Sequence, residues 1–183
     1  GFHPMMQRRA FLKSSLFLAA PTLSIPALAK TAQPATGERV LRLYNTHTGE
    51  KLKSTFWAEG EFIPDAMKDI NKVLRDHRNN KVAQMDPELL LLLTQLNDRL
   101  ENNRELHIIS GYRSPESNAK LRANSSGVAK HSMHMDGKAI DIRLPGRDLA
   151  QLRKAAMGMR GGGVGYYPDS QFVHMDTGRV RYW

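Results

Sequence analysis

The sequence predicts an α+β domain in which a small antiparallel sheet packs against several helices. Three observations carry that expectation. Two long stretches with helical apolar spacing lie in the first half, a cluster of short alternating segments closes the second half, and turn residues separate almost every pair of elements. A length of 183 residues with 40% hydrophobic and 25% charged residues suits one globular domain with a real core.

Residues 1–29 stand apart from that fold. Gln7-Arg8-Arg9-Ala10-Phe11-Leu12-Lys13 resembles a twin-arginine export motif, and the uncharged stretch from Ser14 to Ala29 ends in Ala27-Leu28-Ala29, a small-x-small cleavage pattern. Pro21 and Pro26 interrupt the stretch, which falls short of the roughly 20 apolar residues of a membrane span. The expectation is a cleaved signal peptide and no stable membrane insertion afterwards, with an uncleaved anchor as the alternative. Gly1-Phe2-His3-Pro4, ahead of Met5, fit a leftover of expression. Residues 30–38, which include Pro34 and Gly37, read as a linker, and 39–183 as the domain.

Within the domain, Arg39–Tyr44 alternates in polarity, His47–Glu50 forms a turn and Lys51–Trp57 returns, which predicts a β-hairpin. Pro64-Asp65 opens a helix expected to run to about Asn79, with Met67, Ile70, Val73 and Leu74 on one face. Asp86 caps a second helix and Pro87 takes its first position, where a missing N–H costs nothing. Its leucines (Leu89–Leu93, Leu96, Leu100) make it the core spine. Leu106–Ser110 is a strand leading into Gly111-Tyr112-Arg113-Ser114, and Ser114-Pro115-Glu116 caps a helix ending near Asn124. Ala139–Leu144 is a strand, Arg147–Met159 an amphipathic helix, and Gly161–Tyr167, Phe172–Asp176 and Val180–Trp183 are closing strands.

A formal charge of +9 predicts attraction to polyanions. Removal of residues 1–29 takes away Arg8, Arg9 and Lys13 and no acid, so the mature chain stays basic. Those polyanions are nucleic acid, anionic lipid or acidic cell wall, and export to outside the cytoplasm suits a carboxylate-rich matrix and argues against nucleic acid. Absence of cysteine excludes disulfides and thiolate metal sites, so any metal here is held by histidine and carboxylate.

The chemistry concentrates in Ser132-Met133-His134-Met135-Asp136-Gly137-Lys138-Ala139-Ile140-Asp141. His134 lies on a loop, Gly137 permits a tight turn, and Asp141 lies in the next strand, so the loop can bring an imidazole and a carboxylate together. His174, in Phe172-Val173-His174-Met175-Asp176, is the best third ligand. Two histidines and one carboxylate leave a fourth corner for water, as catalytic zinc sites do.

Ser132-x-His134-x-x-Gly137-x-Ala139-x-Asp141 resembles the first zinc motif of the D-Ala-D-Ala peptidases, relatives of lysostaphin-type enzymes and hedgehog domains. Gly111–Ser114, Gly162–Tyr167 and Phe172–Gly178 extend the resemblance over residues 38–183 to the MepK-like branch, periplasmic murein endopeptidases. The resemblance implies zinc on His134, Asp141 and His174, substrate contact by Arg113, and peptidoglycan stem peptides as substrate. Arg113 suits either the developing oxyanion or a stem-peptide carboxylate.

Better-known relatives place an acid or a histidine two or three residues before the last ligand, whereas Gln171 and Phe172 stand here. Asp176 is the substitute base, since residues two apart on a strand share a face. It also suits a role as acceptor behind a ligand imidazole, or a purely structural one. His131 on the motif loop is a second candidate base. The expected function is therefore a zinc-dependent murein endopeptidase cutting crosslinks, with those containing meso-diaminopimelate (3-3) as the implied target. A carboxypeptidase or dipeptidase trimming stem peptides, or a zinc-containing wall-binding module without catalysis, are the alternatives. His47, His77 and His107 read as isolated structural or solvent-facing residues, and Tyr166 and Tyr167 as groove lining or packing.

Overall fold

The computed structural model describes residues 37–183, so the expected signal peptide and most of the linker lie outside the described residues. The hairpin forms as expected: β1 (Arg39–Asn45) and β2 (Lys51–Ala58) pair antiparallel and bury Leu41, Leu43 and Phe56. A two-residue strand, β3 (Glu61–Phe62), extends its edge, and α1 follows (Pro64–Val73). That helix stops well before Asn79 because the backbone changes partners: the Asp76 N–H donates to the carbonyl of Lys81 at 2.9 Å, and Asn80 takes a positive φ of 61°. Next come α2 (Pro87–Arg99) and β4 (Leu106–Ser110). At the start of α2 the Asp86 carboxylate accepts from the Glu88 N–H at 3.0 Å, so the expected cap is present. After α3 (Pro115–Asn124), a 3-10 turn at Met133–Asp136 leads into β5 (Ala139–Arg143). α4 (Leu149–Met159) starts two residues later than expected because Asp148 is its cap. The chain closes with β6 (Gly163–Tyr167), β7 (Phe172–Asp176) and β8 (Arg181–Tyr182).

The fold is α+β, with one eight-stranded sheet in the order β3-β2-β1-β4-β5-β7-β6-β8. It is larger than the small sheet the sequence suggests, and two pairings are parallel, β1 with β4 and β6 with β8. The first is possible because α1 and α2 fill the connection, and a parallel pair needs such a long crossover. α1, α2 and α4 pack against β2, β1 and the β6–β7 pair, and their side chains merge with the sheet's into one apolar cluster. Leu89, Leu90, Leu93 and Leu96 are fully buried in it, each contributing roughly 1.5–3 kcal/mol. Among the described residues no helix is long and apolar enough to cross a membrane.

Strand alternation separates core from chemistry. Ile140 and Ile142 of β5, with Val173 and Met175 of β7, join the helix-covered cluster. The residues between them, Asp141 and His174, must point to the opposite face.

Candidate metal centre

On that opposite face, register aligns the site. Asp141 of β5 sits directly across from His174 of β7, and Gly165 of β6 lies across from His174 on its other side. His134 arrives from the 3-10 turn, where the Ser132 hydroxyl accepts from its N–H at 3.3 Å. Gly137 then reverses the chain at φ 67°, and a Cβ there would lie 2.5 Å from the carbonyl oxygen of Gln84, so both conformation and space demand glycine.

The three expected ligands converge. His134 Nε2 and His174 Nδ1 lie 3.2 and 3.0 Å from the same oxygen, Asp141 Oδ1. One ligand atom from each residue falls within 4.8 Å of the others, and all three residues are buried. The outer nitrogen of each ring is held from behind. His134 Nδ1 sits 2.7 Å from the carbonyl of Gly111, which only accepts, so Nδ1 carries the hydrogen. His174 Nε2 faces Asp176 Oδ2 at 2.8 Å and donates to it. The remaining nitrogen of each ring, the one a metal would take once it gives up any hydrogen, points at the Asp141 carboxylate. A nitrogen-nitrogen-oxygen set without sulfur, converging at one buried point, fits zinc. Burial pushes the Asp141 carboxyl up, but the His134 imidazole and the hydrogen bonds from both histidines outweigh it and hold the group well below the usual carboxylate range. Asp141 is thus in the ionised form a metal requires.

Asp176, the expected substitute base, lies on the same strand face as His174 but behind its ring. Its side chain is fully buried and all its capacity is engaged. Oδ1 accepts from the N–H groups of Gly163 (3.0 Å) and Gly178 (2.9 Å) and from Arg181 Nη1 (2.9 Å). Oδ2 accepts from Arg181 Nη2 and His174 Nε2, both at 2.8 Å. Burial alone raises its pKa, yet these bonds from His174, Arg181 and the two backbone groups drive it well below the carboxylate range. Arg181 was invisible to sequence reasoning. Nothing in Arg179-Val180-Arg181 marks one arginine as buried against an acid.

Arg113 is held through its backbone and left free at its side chain. Its N–H donates to the carbonyl of His134 at 3.1 Å, which ties its segment to the loop that carries His134. On either side, the Tyr112 N–H donates to Leu74 O (2.8 Å) and the Ser114 N–H to Asp76 Oδ2 (2.9 Å). The guanidinium makes one long bond, Nη1 to Asn118 Oδ1 at 3.3 Å, and its buried Nε has no acceptor among the described residues. Burial lowers its pKa, partly offset by the Asp141 charge.

Asp76 went unnoticed because it falls inside the helix the periodicity predicts. Burial raises its pKa, but hydrogen bonds from Ser117, Ser114 and Arg78 bring it down to about 2. His131 Nε2 pairs with Asp136 Oδ2 at 2.9 Å on the exposed side of the loop, and its Nδ1 has no partner among the described residues. His47 and His77 are not isolated: their rings stack at 3.8 Å with 2° between planes. Tyr166 packs against Arg153, whereas Tyr167 is exposed.

With the geometry in place, comparison with known proteins is specific. Residues 33–183 match the family model described as Peptidoglycan L,D-endopeptidase MepK. The Peptidoglycan L,D-endopeptidase MepK of Escherichia coli (strain K12) is 42% identical over 177 residues, covering 97% of this chain and 96% of that one. The protein of the same name from Shigella flexneri matches equally. The Probable peptidoglycan L,D-endopeptidase MepK of Haemophilus influenzae is 42% identical over 161 residues, covering 87% and 84% of the two chains. No solved structure matches.

Proposed function

Because the chain belongs to the peptidoglycan L,D-endopeptidase MepK family, we propose that it is a zinc-dependent murein endopeptidase that hydrolyses peptide crosslinks, with meso-diaminopimelate-containing 3-3 crosslinks as its target. The observation that carries the zinc reading is the meeting of His134 Nε2, His174 Nδ1 and Asp141 Oδ1, three atoms able to ligate a metal, in a buried corner. The relatives' names support the crosslinked stem peptide as substrate. The Gln7–Lys13 motif supports export by the twin-arginine route to the periplasm, where that substrate lies.

His134, Asp141 and His174 would hold the zinc, which would supply a Lewis acid for the scissile carbonyl and a bound water with its pKa lowered to about 7. The protein's own groups do the rest. Gly111 O and Asp176 Oδ2 fix the tautomer and direction of the two imidazoles, so neither has to reorganise when the ligands are used. Arg113, with unpaired donors beside Asp141, holds the negative charge that develops on the carbonyl oxygen. Asp176 is a positioning residue in this scheme, since a carboxylate already accepting five hydrogen bonds cannot also take a proton from water. Of the two proton acceptors the sequence offers, that leaves His131, oriented by Asp136 and with Nδ1 unused. His131→Ala should lower kcat at unchanged metal content; unchanged kcat would remove it from that role.

Digestion of purified sacculi tests the whole reading. Crosslinked dimers should convert to monomers, and chelator or His134→Ala should abolish the conversion. Shortened stems with intact dimers would identify a trimming peptidase instead, and binding to sacculi without any product would leave only a wall-binding module.

A further inference from the structure

The end of the sequence contributes more to the site than Arg181. Trp183 is fixed on both backbone sides, its N–H donating to Val164 O at 3.2 Å and its carbonyl accepting from the Tyr166 N–H at 2.9 Å. Its indole lies over Gly165, the residue in register with His174. A Cβ on Gly165 would fall 2.7–2.8 Å from three indole atoms, so the ring takes the space that any other residue's side chain would fill. The indole centroid is 5.2 Å from the His174 imidazole, tilted by 48°. Indole Nε1 donates to the Tyr167 hydroxyl at 2.7 Å, and the Tyr167 ring stacks on Phe172 at 4.6 Å. The Arg181 guanidinium that grips Asp176 lies 4.9 Å from the same indole centroid. Four contacts therefore hold this side chain, yet Trp183 is 45% exposed and Tyr167 37%.

Packing alone does not account for that arrangement. A core aromatic would be covered, and a solvent-facing one would not need a glycine beneath it and a hydrogen bond to fix its tilt. Held aromatic surface left open beside a reactive centre is what a binding wall looks like, because a rigid indole gives contact area at little entropic cost.

We infer that Trp183 and Tyr167 form the apolar wall of a substrate subsite, which receives the unbranched aliphatic side chain of the stem-peptide residue flanking the scissile amide. The inference rests on the murein-endopeptidase reading. Trp183 and Tyr167 grip the methylene chain, and register sets the wall beside His174. Trp183 is then a specificity-determining residue, acting on substrate affinity more than on the metal.

Steady-state kinetics on a defined crosslinked muropeptide, with metal content measured in parallel, test this. Trp183→Ala should raise KM about tenfold or more while kcat falls by less and zinc stoichiometry holds. Trp183→Phe should recover most of the loss, and Gly165→Ala, which dislodges the indole, should reproduce it. A second readout is independent of turnover. Trp57 and Trp183 are the two tryptophans of the sequence, so in Trp57→Phe the emission reports on Trp183 alone. Titration with the monomeric product peptide should shift that emission saturably. Unchanged KM in Trp183→Ala, or loss of zinc in its place, overturns the inference while turnover keeps the endopeptidase reading intact. No turnover of any crosslinked muropeptide by the unmodified enzyme overturns both. Emission that ignores the product peptide overturns the wall alone.

Discussion

Asp176 and Arg113 border the same cluster and are treated in opposite ways. Asp176 is buried, accepts five hydrogen bonds and contacts the site only through the His174 ring. Arg113 is anchored by its backbone but offers a guanidinium with one long bond and a bare Nε. The contrast teaches how the fold divides labour. In the proposed mechanism, the group that positions a ligand is saturated, so that it has one conformation, whereas the group that meets changing charge keeps donors in reserve.

The sharpest way to break this comparison is Arg113→Ala. It should lower kcat/KM by about 10²–10³ with zinc content unchanged, as loss of one oxyanion donor does. Loss of metal would show that Arg113 belongs to the scaffold after all.

A smaller effect is expected on the other side. Asp176→Asn should weaken zinc binding about 10–100-fold by removing the anion behind His174, with turnover recovering when zinc is saturating. Full zinc occupancy with turnover still abolished would make Asp176 the proton acceptor and end the division drawn here.

The smallest effect concerns the support under Arg113. The Asp76 carboxyl has a folded pKa of about 2, below its unfolded value. Its stabilisation is therefore present above pH of about 4 and lost as pH falls through about 2, amounting to about 2 kcal/mol. Asp76→Asn should lower the melting temperature at neutral pH and flatten the acid limb of a stability-against-pH curve. An unchanged acid limb would mean that the Asp76–Ser114 bond does not hold this segment.

Most of the secondary structure could be read from the sequence because its signals are local. Pro87 behind Asp86, and Pro115 behind Ser114, name a helix start without reference to the rest of the chain. The end of α1 could not be read this way, since it is set by Asp76 pairing with Lys81 and Ser114, the latter 38 residues away. Parallel pairing of β1 with β4 is equally non-local. At the site, His134, Gly137 and Asp141 declare themselves by spacing within ten residues. Arg181 and Trp183 do not, because they reach His174 only through the register of β6 with β7 and β8.

By itself, then, the sequence determined which residues gather into the candidate metal centre, which helices build the core and which strand face that centre occupies. These follow from spacing, capping and alternation, which act over a few residues. The tertiary structure alone decided the direction of each imidazole ring, the saturation of Asp176, the bareness of Arg113 and the seat of Trp183 over Gly165. Each of those depends on a partner supplied by a distant strand or loop, and no local pattern encodes which partner arrives.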